Sequence, residues 1–362
     1  MKSSPDSSLP AVQPVGGPSP RGGGARRVLT WLLRLLGVLV AAGLVWWTVR
    51  RAGADFGQAL ANARKTPMLL AFLLYGAVQL LGAWRWRILL HGQDIPLNYW
   101  ETLRLTLLGG FFSVLVPGSV SGDLAKMALV MTKAPTKRAE AVLSIAVDRF
   151  VGLWGLLLVG MVTALMAWLR YPQLFRQVAI LRWATVGISC ASLGMGGLAF
   201  CAAQRRALLA WAPLASLSRW CEHRLPKAAL SALQRLGQGV DLYRNRKRAV
   251  GWALALSGGL HLVLGVETFL LGRTLHEHAM SLLQYLTVAP IGNASGIIPL
   301  TPGGVGVRDA VTAAFLEAFR ASPPEAMGLI PVAYSMILVI WGAIGSFLLF
   351  GKTNGPVPRK KT

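Results

Sequence analysis

Long apolar runs, separated by short polar or basic segments, dominate the pattern along this chain. They cover 28–49, 68–90, 139–169, 183–203, 250–272 and 326–350. A helix rises about 1.5 Å per residue, so roughly 20 apolar residues cross the hydrocarbon core of a bilayer. Each run is close to that length or longer, and the pattern predicts six full membrane spans. The first run follows a basic stretch, as a signal peptide would. It is long, however, and ends in Arg50 and Arg51 with no small-residue cleavage site, so it reads as an uncleaved span.

Two further apolar stretches, 101–133 and 282–320, are interrupted. The first breaks at "VPGSVSGDLAK" and the second at "IIPLTPGGVGVRDA". Proline and glycine stop helices, so each stretch is expected to form two half-helices joined at the break. Orientation adds a constraint. The tail 1–27, the segment 204–249 and the tail 351–362 are all basic, and Lys and Arg collect on the cytoplasmic side. All three face the cytoplasm only if 101–133 leaves and returns on the inside and 282–320 leaves and returns on the outside. Full crossing by pairs of half-helices preserves the same parity and stays open as the alternative.

The expected fold is thus all-α and polytopic, with about six full spans and two Pro/Gly-broken re-entrant hairpins. The domains are a disordered basic tail over 1–27, a membrane domain over 28–350 that carries the cytoplasmic loop 204–249, and a basic tail over 351–362. Composition agrees, with 54% hydrophobic residues, 14% charged residues and 13 Trp in 362 residues. Soluble domains carry about 25% charged residues. The formal net charge of +23 would suggest nucleic acid in a soluble protein, but here the basic residues flank apolar runs and no recognition motif accompanies them. Cys190, Cys201 and Cys221 have neither metal nor disulfide spacing.

The two breaks carry the candidate chemistry. "GGFFSVLVPGSVSGD" and "GNASGIIPLTPGGVGVRD" each place small residues, an apolar turn, Pro-Gly, a further Gly and an Asp in that order. They look like a degenerate internal repeat, inverted if the two breaks are reached from opposite sides. Paired interruptions of this kind mark the binding site in many transporters. Irregular backbone is tolerated at membrane depth only inside protein or along a wet cavity, and the N-terminus of a half-helix offers unpaired N–H groups to an anion. Ser119, Ser121 and Thr301 are placed to cap or line such a site, and Gly118, Gly122, Gly303, Gly304 and Gly306 to allow close backbone approach. The plainer reading of each break is a loop-to-helix start, with Asp123 and Asp309 as first-turn acids that complement the helix dipole. The two readings are compatible.

Charged residues inside apolar runs are costly and tend to face one another or a polar path. Asp148, Arg149 and Glu267 are the candidates, Arg149 as the receptor for a phosphate held by an acidic partner. Asp148-Arg149 at the interface, with Arg149 snorkelling, is the competing reading, and Glu267 near the end of its run has the same alternative. His261 reads as a packed core residue, "HEH" at 276–278 as a loop, and Trp84, Arg85, Trp86 and Arg87 as an interfacial belt. No nucleotide loop, hydrolase elbow or metal cluster is visible, so neither an enzyme nor a cofactor is expected.

"LLGGFFSVLVPGSVSGDLAKMALV", "AEAVLSIAVDRFVGLWGLLLVG", "RWRILL" and "IIPLTPGGVGVRDA" together resemble the lysylphosphatidylglycerol synthase transmembrane-region family, which includes the flippase domain of the multiple peptide resistance factor. The resemblance covers roughly 28–350. It implies a lipid-translocating scaffold and draws attention to Pro117, Gly122, Asp123, Asp148, Arg149, Pro302, Gly303, Gly304 and Gly306. Two departures stand out. Asp309 lies behind Arg308 where a Glu is usual, and Lys126 stands where an Arg is usual. The chain stops at Thr362 with no soluble aminoacyl-transferase domain after the spans, so lipid aminoacylation is not expected.

The substrate-binding set expected from all this is Pro117, Gly118, Ser121, Gly122, Asp123, Lys126, Asp148, Arg149, Glu267, Thr301, Pro302, Gly303, Gly304, Gly306, Arg308 and Asp309. The expected function is a stand-alone flippase of the bacterial inner membrane that moves an anionic phospholipid or a polyprenyl-phosphate-linked lipid. A transporter of a small anionic solute and a non-transporting scaffold for an envelope-synthesis enzyme are the alternatives. A cavity open to the lipid favours the first, a closed midplane cavity the second and a filled interior the third. The partners expected are membrane lipids, with a homo-oligomer or an envelope-synthesis enzyme left open, and no nucleic acid.

Cysteines placed singly at Ser121 and Thr301, in a background lacking the three native ones, are expected to react with impermeant thiol reagents from opposite sides of the membrane. Labelling of both from one side only removes the inverted repeat.

Overall fold

The computed structural model describes residue 43, residues 55–115, 121–204, residue 243, and residues 246–297, 304–322 and 325–347. The expected first span, both tails, most of the basic loop, and Pro117, Gly118, Thr301, Pro302 and Gly303 lie outside the described residues. Among the described residues there is no strand. The helices in chain order are α1 (Asp55–Ala61), α2 (Lys65–Gly92), α3 (Tyr99–Leu115), α4 (Ser121–Lys133), α5 (Arg138–Arg170) and α6 (Pro172–Gln177). They continue with α7 (Ala179–Ala203), α8 (Lys247–Thr274), α9 (Leu282–Ser295), α10 (Val307–Ala318) and α11 (Glu325–Phe347). An all-helical result is what hydrocarbon demands, since a helix satisfies its backbone polar groups within its own segment.

Five of these, α2, α5, α7, α8 and α11, are long and apolar enough to cross a membrane. They coincide with five of the six runs expected to span. Their outward faces carry large apolar side chains, including Leu69, Leu73 and Leu80 on α2 and Trp183, Leu193 and Phe200 on α7. Such faces suit lipid contact rather than water. The broken stretches behave differently. α3 has 17 residues, α4 has 13, α9 has 14 and α10 has 12. At about 1.5 Å per residue none of the four, over its described residues, covers a hydrocarbon core of roughly 30 Å.

Contacts at the helix ends show how these short helices are arranged. At one end of the bundle Lys137, just before α5, donates to the carbonyls of Gln93 (3.1 Å) and Asp94 (3.2 Å), just after α2. Arg246, just before α8, pairs with Asp94 there at 2.6 Å. Glu101 in the first turn of α3 meets Lys133 in the last turn of α4 at 3.2 Å, at this same end. At the opposite end the Arg64 N–H, before α2, donates to the Thr274 carbonyl at the close of α8 (3.0 Å). The Tyr171 hydroxyl, after α5, donates to Ser281 at the start of α9 (3.0 Å), and Phe319 after α10 stacks edge-on against Phe175 of α6. Among the described residues α3 and α4 thus pack as a hairpin-like pair whose outer ends lie at the first end, and α9 and α10 as a second pair whose outer ends lie at the other.

Packing between the arms of the first hairpin depends on bare backbone. A Cβ built on Gly122 would lie 2.0 Å from Ser113 Oγ and 2.3 Å from the Gly109 carbonyl oxygen, so only glycine lets α4 approach α3 this closely. The main apolar cluster, with Phe175, Tyr285, Leu316 and Ile330, fills the α9–α10 end. A second, with Trp86, Leu90, Leu97 and Ile145, fills the α3–α4 end. Between them Arg85 of α2 and Asp148 of α5 pair among smaller apolar clusters.

Gly122→Ala is expected to destabilise the protein in detergent by about 1–3 kcal/mol, the usual cost of overpacking. Gly197→Ala on α7, where an added Cβ meets nothing within 4 Å, is expected to be neutral or slightly stabilising. Thermal unfolding of the two variants compares them directly.

Candidate functional site: a polar cavity between two hairpins

Adjacent residues on a helix point to different faces, so Asp148 and Arg149 cannot serve each other. Each takes a partner from another helix. Arg85 of α2 grips Asp148 of α5 with both edges, Nε to Oδ1 at 2.9 Å and Nη2 to Oδ2 at 3.1 Å. Its Nη1 donates to Ser257 Oγ of α8 at 3.1 Å. Arg149 grips Asp123 in the first turn of α4, Nη2 to Oδ1 at 2.7 Å and Nε to Oδ2 at 2.5 Å. Two-point guanidinium–carboxylate pairs fix orientation as well as charge. The two pairs differ in access. The Arg85 and Asp148 side chains are 13% and 7% exposed, whereas that of Arg149 is 58% exposed over an Asp123 at 8%.

One turn beyond Asp123, buried Lys126 places its ammonium 4.2 Å from the centre of the Trp86 ring. These groups line two adjoining cavities. The first, about 370 Å³, is bounded by Arg85, Lys126, Asp148 and Arg149 together with Gln79, Thr106 and Ser113. The second, about 450 Å³, is bounded by Arg85, Asp123, Asp148, Arg149 and Arg308, with apolar Leu153, Leu156 and Ile297 beside them. Arg85, Asp148, Arg149, His261 and Gly296 line both. Gly296 closes α9, so the second hairpin reaches the cavity wall formed by α2 and α5. Volumes of this order fall within the range of small-molecule sites.

The second hairpin is organised around Asp309. Its carboxylate accepts the Gly306 N–H at 3.0 Å, closing the start of α10, and accepts the Ser335 hydroxyl at 2.7 Å. Ser335 Oγ in turn accepts Arg308 Nη2 at 2.6 Å. The Arg308 guanidinium lies over the Tyr334 ring at 4.5 Å and 3.4 Å from Asp309, while its Nε has no hydrogen-bond partner. Gly304 and Gly306 have φ of +75° and +96°, a region that favours glycine. Gly304 also packs onto Gly296, where an added Cβ would come within 3.0 Å of its Cα. These glycines make the turn and the contact between the arms.

The expected residues therefore separate into groups. Asp123, Lys126, Asp148, Arg149 and Arg308 meet around the two cavities. Asp309 caps α10, and Ser121 donates to the Phe112 carbonyl at 3.2 Å within its own hairpin. Gly122, Gly304 and Gly306 serve packing and turns. Glu267 is fully buried, with no hydrogen-bond partner on either carboxyl oxygen, and it lines neither cavity. An interfacial position for it, one of the two sequence readings, is thereby excluded.

The interfacial reading of Trp84–Arg87 is corrected in two of its four residues. Trp86 is fully buried and donates to Ser144 Oγ at 3.1 Å, and Arg85 is a central member of the site. The signal was present in the sequence. Asp148 inside an apolar helix requires a cation that its neighbour cannot supply, and Arg85 is an unexplained cation in another. His261 is half-buried rather than core, donating from Nε2 to the Gly152 carbonyl at 3.1 Å while it lines both cavities. Ser257 and Ser335 carried no sequence signal. Among the described residues no His, Cys, Asp and Glu side chains group as metal ligands.

Long apolar helices around an internal layer of paired charges define a polytopic membrane protein with a central polar cavity. Residues 34–345 match the family described as the lysylphosphatidylglycerol synthase TM region, and the chain belongs to that family. It is also similar to the UPF0104 membrane protein PH1989 of Pyrococcus horikoshii, at 22% identity over 299 residues, covering 80% of this chain and 87% of that protein.

Asp148→Asn is expected to cost about 3–5 kcal/mol of stability, because it strands Arg85 without its counter-ion. Replacing both partners with apolar residues of similar volume is expected to recover most of that loss. Chemical unfolding in a mild detergent measures both.

Proposed function

We propose that this protein is a non-enzymatic lipid translocator, carrying the anionic headgroup of a phospholipid or a polyprenyl-phosphate-linked lipid from one leaflet to the other. The observation that carries the reading is Arg149. Its guanidinium is anchored at two points by Asp123 and is still 58% exposed, so it keeps N–H donors for an oxyanion inside an apolar bundle. A phosphate alone in hydrocarbon meets a prohibitive desolvation penalty. A cavity that replaces its water with fixed donors lowers that penalty, while the acyl chains stay in lipid. Apolar Leu153, Leu156 and Ile297 beside the charged groups suit a ligand that is polar at one end only. Cavities of about 370 and 450 Å³ speak against the filled interior expected of a mere scaffold.

In this reading the α3–α4 and α9–α10 pairs are re-entrant hairpins entering from opposite sides. The end carrying Lys133, Lys137 and Arg246 is cytoplasmic, as are both chain termini, and the membrane is the bacterial inner membrane. The tips of the hairpins form the two faces of the headgroup path. Rocking one hairpin against the other would expose the shared wall of Arg85, Asp148, Arg149 and His261 to each leaflet in turn.

The test is reconstitution of the purified chain into liposomes with fluorescent anionic phospholipid or polyprenyl phosphate. Wild type is expected to exchange at least one of these faster than empty vesicles do, and Arg149→Gln to slow that exchange by about tenfold or more, the scale of a lost charged hydrogen bond. If neither lipid exchanges faster than in empty vesicles, the reading falls.

A further inference from the structure

The charges around the first cavity do not balance. Arg85 is matched by Asp148 and Arg149 by Asp123, each through two contacts. Lys126 has neither a hydrogen bond nor an ion pair among the described residues, although it is only 7% exposed and its side chain lines this cavity. Gln79, Thr106 and Ser113 in the same wall are neutral. Thr106 and Ser113 already spend their hydroxyl protons on the carbonyls of Thr102 and Gly109. Among the described residues the cavity therefore holds one more positive charge than its two ion pairs neutralise.

Its position is prepared. The ammonium lies 4.2 Å from the centre of the Trp86 ring, and that ring is fully buried and held by its Nε1–H on Ser144 Oγ. A fixed aromatic face attracts a cation and orients it without consuming its N–H donors. The side chain reaches this place through a notch at Gly109, where an added Cβ would lie 2.7 Å from both Cγ and Cδ of Lys126. A lone buried charge is costly unless something pairs with it. Three donors, a rigid platform and a dedicated notch point to a group that arrives with the ligand.

We propose that Lys126 receives the single net negative charge of the transported headgroup, and that the first cavity thereby selects phosphodiesters with one net negative charge over zwitterionic ones. The inference rests on the translocation reading above for the identity of the ligand as a lipid. A phosphodiester neutralises Lys126 and leaves the two ion pairs intact. A choline or ethanolamine headgroup brings a further cation into a wall that already holds Arg85, Lys126 and Arg149, and leaves one positive charge over. Inorganic phosphate offers the same oxyanion chemistry without tails.

The experiment measures binding to the full chain in neutral detergent by titration calorimetry, with dihexanoyl phosphatidylglycerol, dihexanoyl phosphatidylcholine and inorganic phosphate as separate probes. Phosphatidylglycerol is expected to bind about tenfold or more tightly than phosphatidylcholine, with the preference shrinking as salt rises. Lys126→Gln is expected to abolish the preference, Lys126→Arg to keep most of it, and Gly109→Ala, which leaves the lysine but crowds its stem, to weaken it. Lys126 of the unaltered protein gives an independent readout. Its modification by an amine-reactive label, followed by peptide mass spectrometry, should be suppressed by phosphatidylglycerol and not by phosphatidylcholine. Equal affinities for the two lipids, an undiminished preference in Lys126→Gln, or labelling unaffected by phosphatidylglycerol overturns the proposal. Preference without lipid exchange in liposomes leaves Lys126 as the anion receptor and sinks the translocation reading. Phosphate binding as tightly as phosphatidylglycerol does the same in favour of a soluble anion.

Discussion

A charge inside hydrocarbon must find a partner or be neutralised, and the interior of this protein is arranged around that requirement. Arg85 with Asp148, and Arg149 with Asp123, tie α2, α4, α5 and, through Ser257, α8 to one another at the level where the two hairpins face each other. Neither pair is formed within a single helix. Each therefore acts as a cross-link whose loss would strand a charge, which is a stronger constraint on geometry than its net contribution to stability suggests. The two largest apolar clusters pack toward either end of these pairs, and the cavities open beside the charges.

The two hairpins solve one problem by different local means. The first hairpin packs its arms through Gly109 and Gly122 and spends its acidic residue, Asp123, on Arg149 of a neighbouring helix. The second turns through glycines at positive φ and spends its acidic residue, Asp309, on its own helix start and on Ser335. The breaks look alike in sequence, yet only the first directs its carboxylate toward the cavity. The plainer reading of an acid after Pro-Gly, a first-turn cap, thus describes Asp309 well, and Asp123 serves a longer-range pair. The proposed headgroup path inherits this asymmetry. Arg149 and Lys126 come with the first hairpin and its neighbour, while the second hairpin contributes the wall at Gly296 and Arg308.

Much of the fold was legible because hydrocarbon permits few solutions. Five of the apolar runs are long helices in place. Part of the candidate site was legible. Asp123, Asp148 and Arg149 were named from buried charge and from the breaks, and Lys126 and Arg308 from the family motifs they stand in. Arg85 was assigned to the membrane interface because its neighbours Trp84 and Trp86 resemble an aromatic belt, and Glu267 was joined to a site it does not line.

What the sequence determined by itself is the class of architecture, five of the long apolar helices, and the list of charges that require an explanation. Periodicity, hydropathy and the cost of unpaired polar groups act locally, so they can be read from neighbouring residues. The tertiary structure alone decided which charge answers which. Partners such as Arg85 and Asp148, or Lys126 and Trp86, are distant along the chain, and their meeting depends on how whole helices rotate and slide as they pack. That rotation leaves Lys126 in the first cavity with no hydrogen bond or ion pair among the described residues, a fact no local pattern carries.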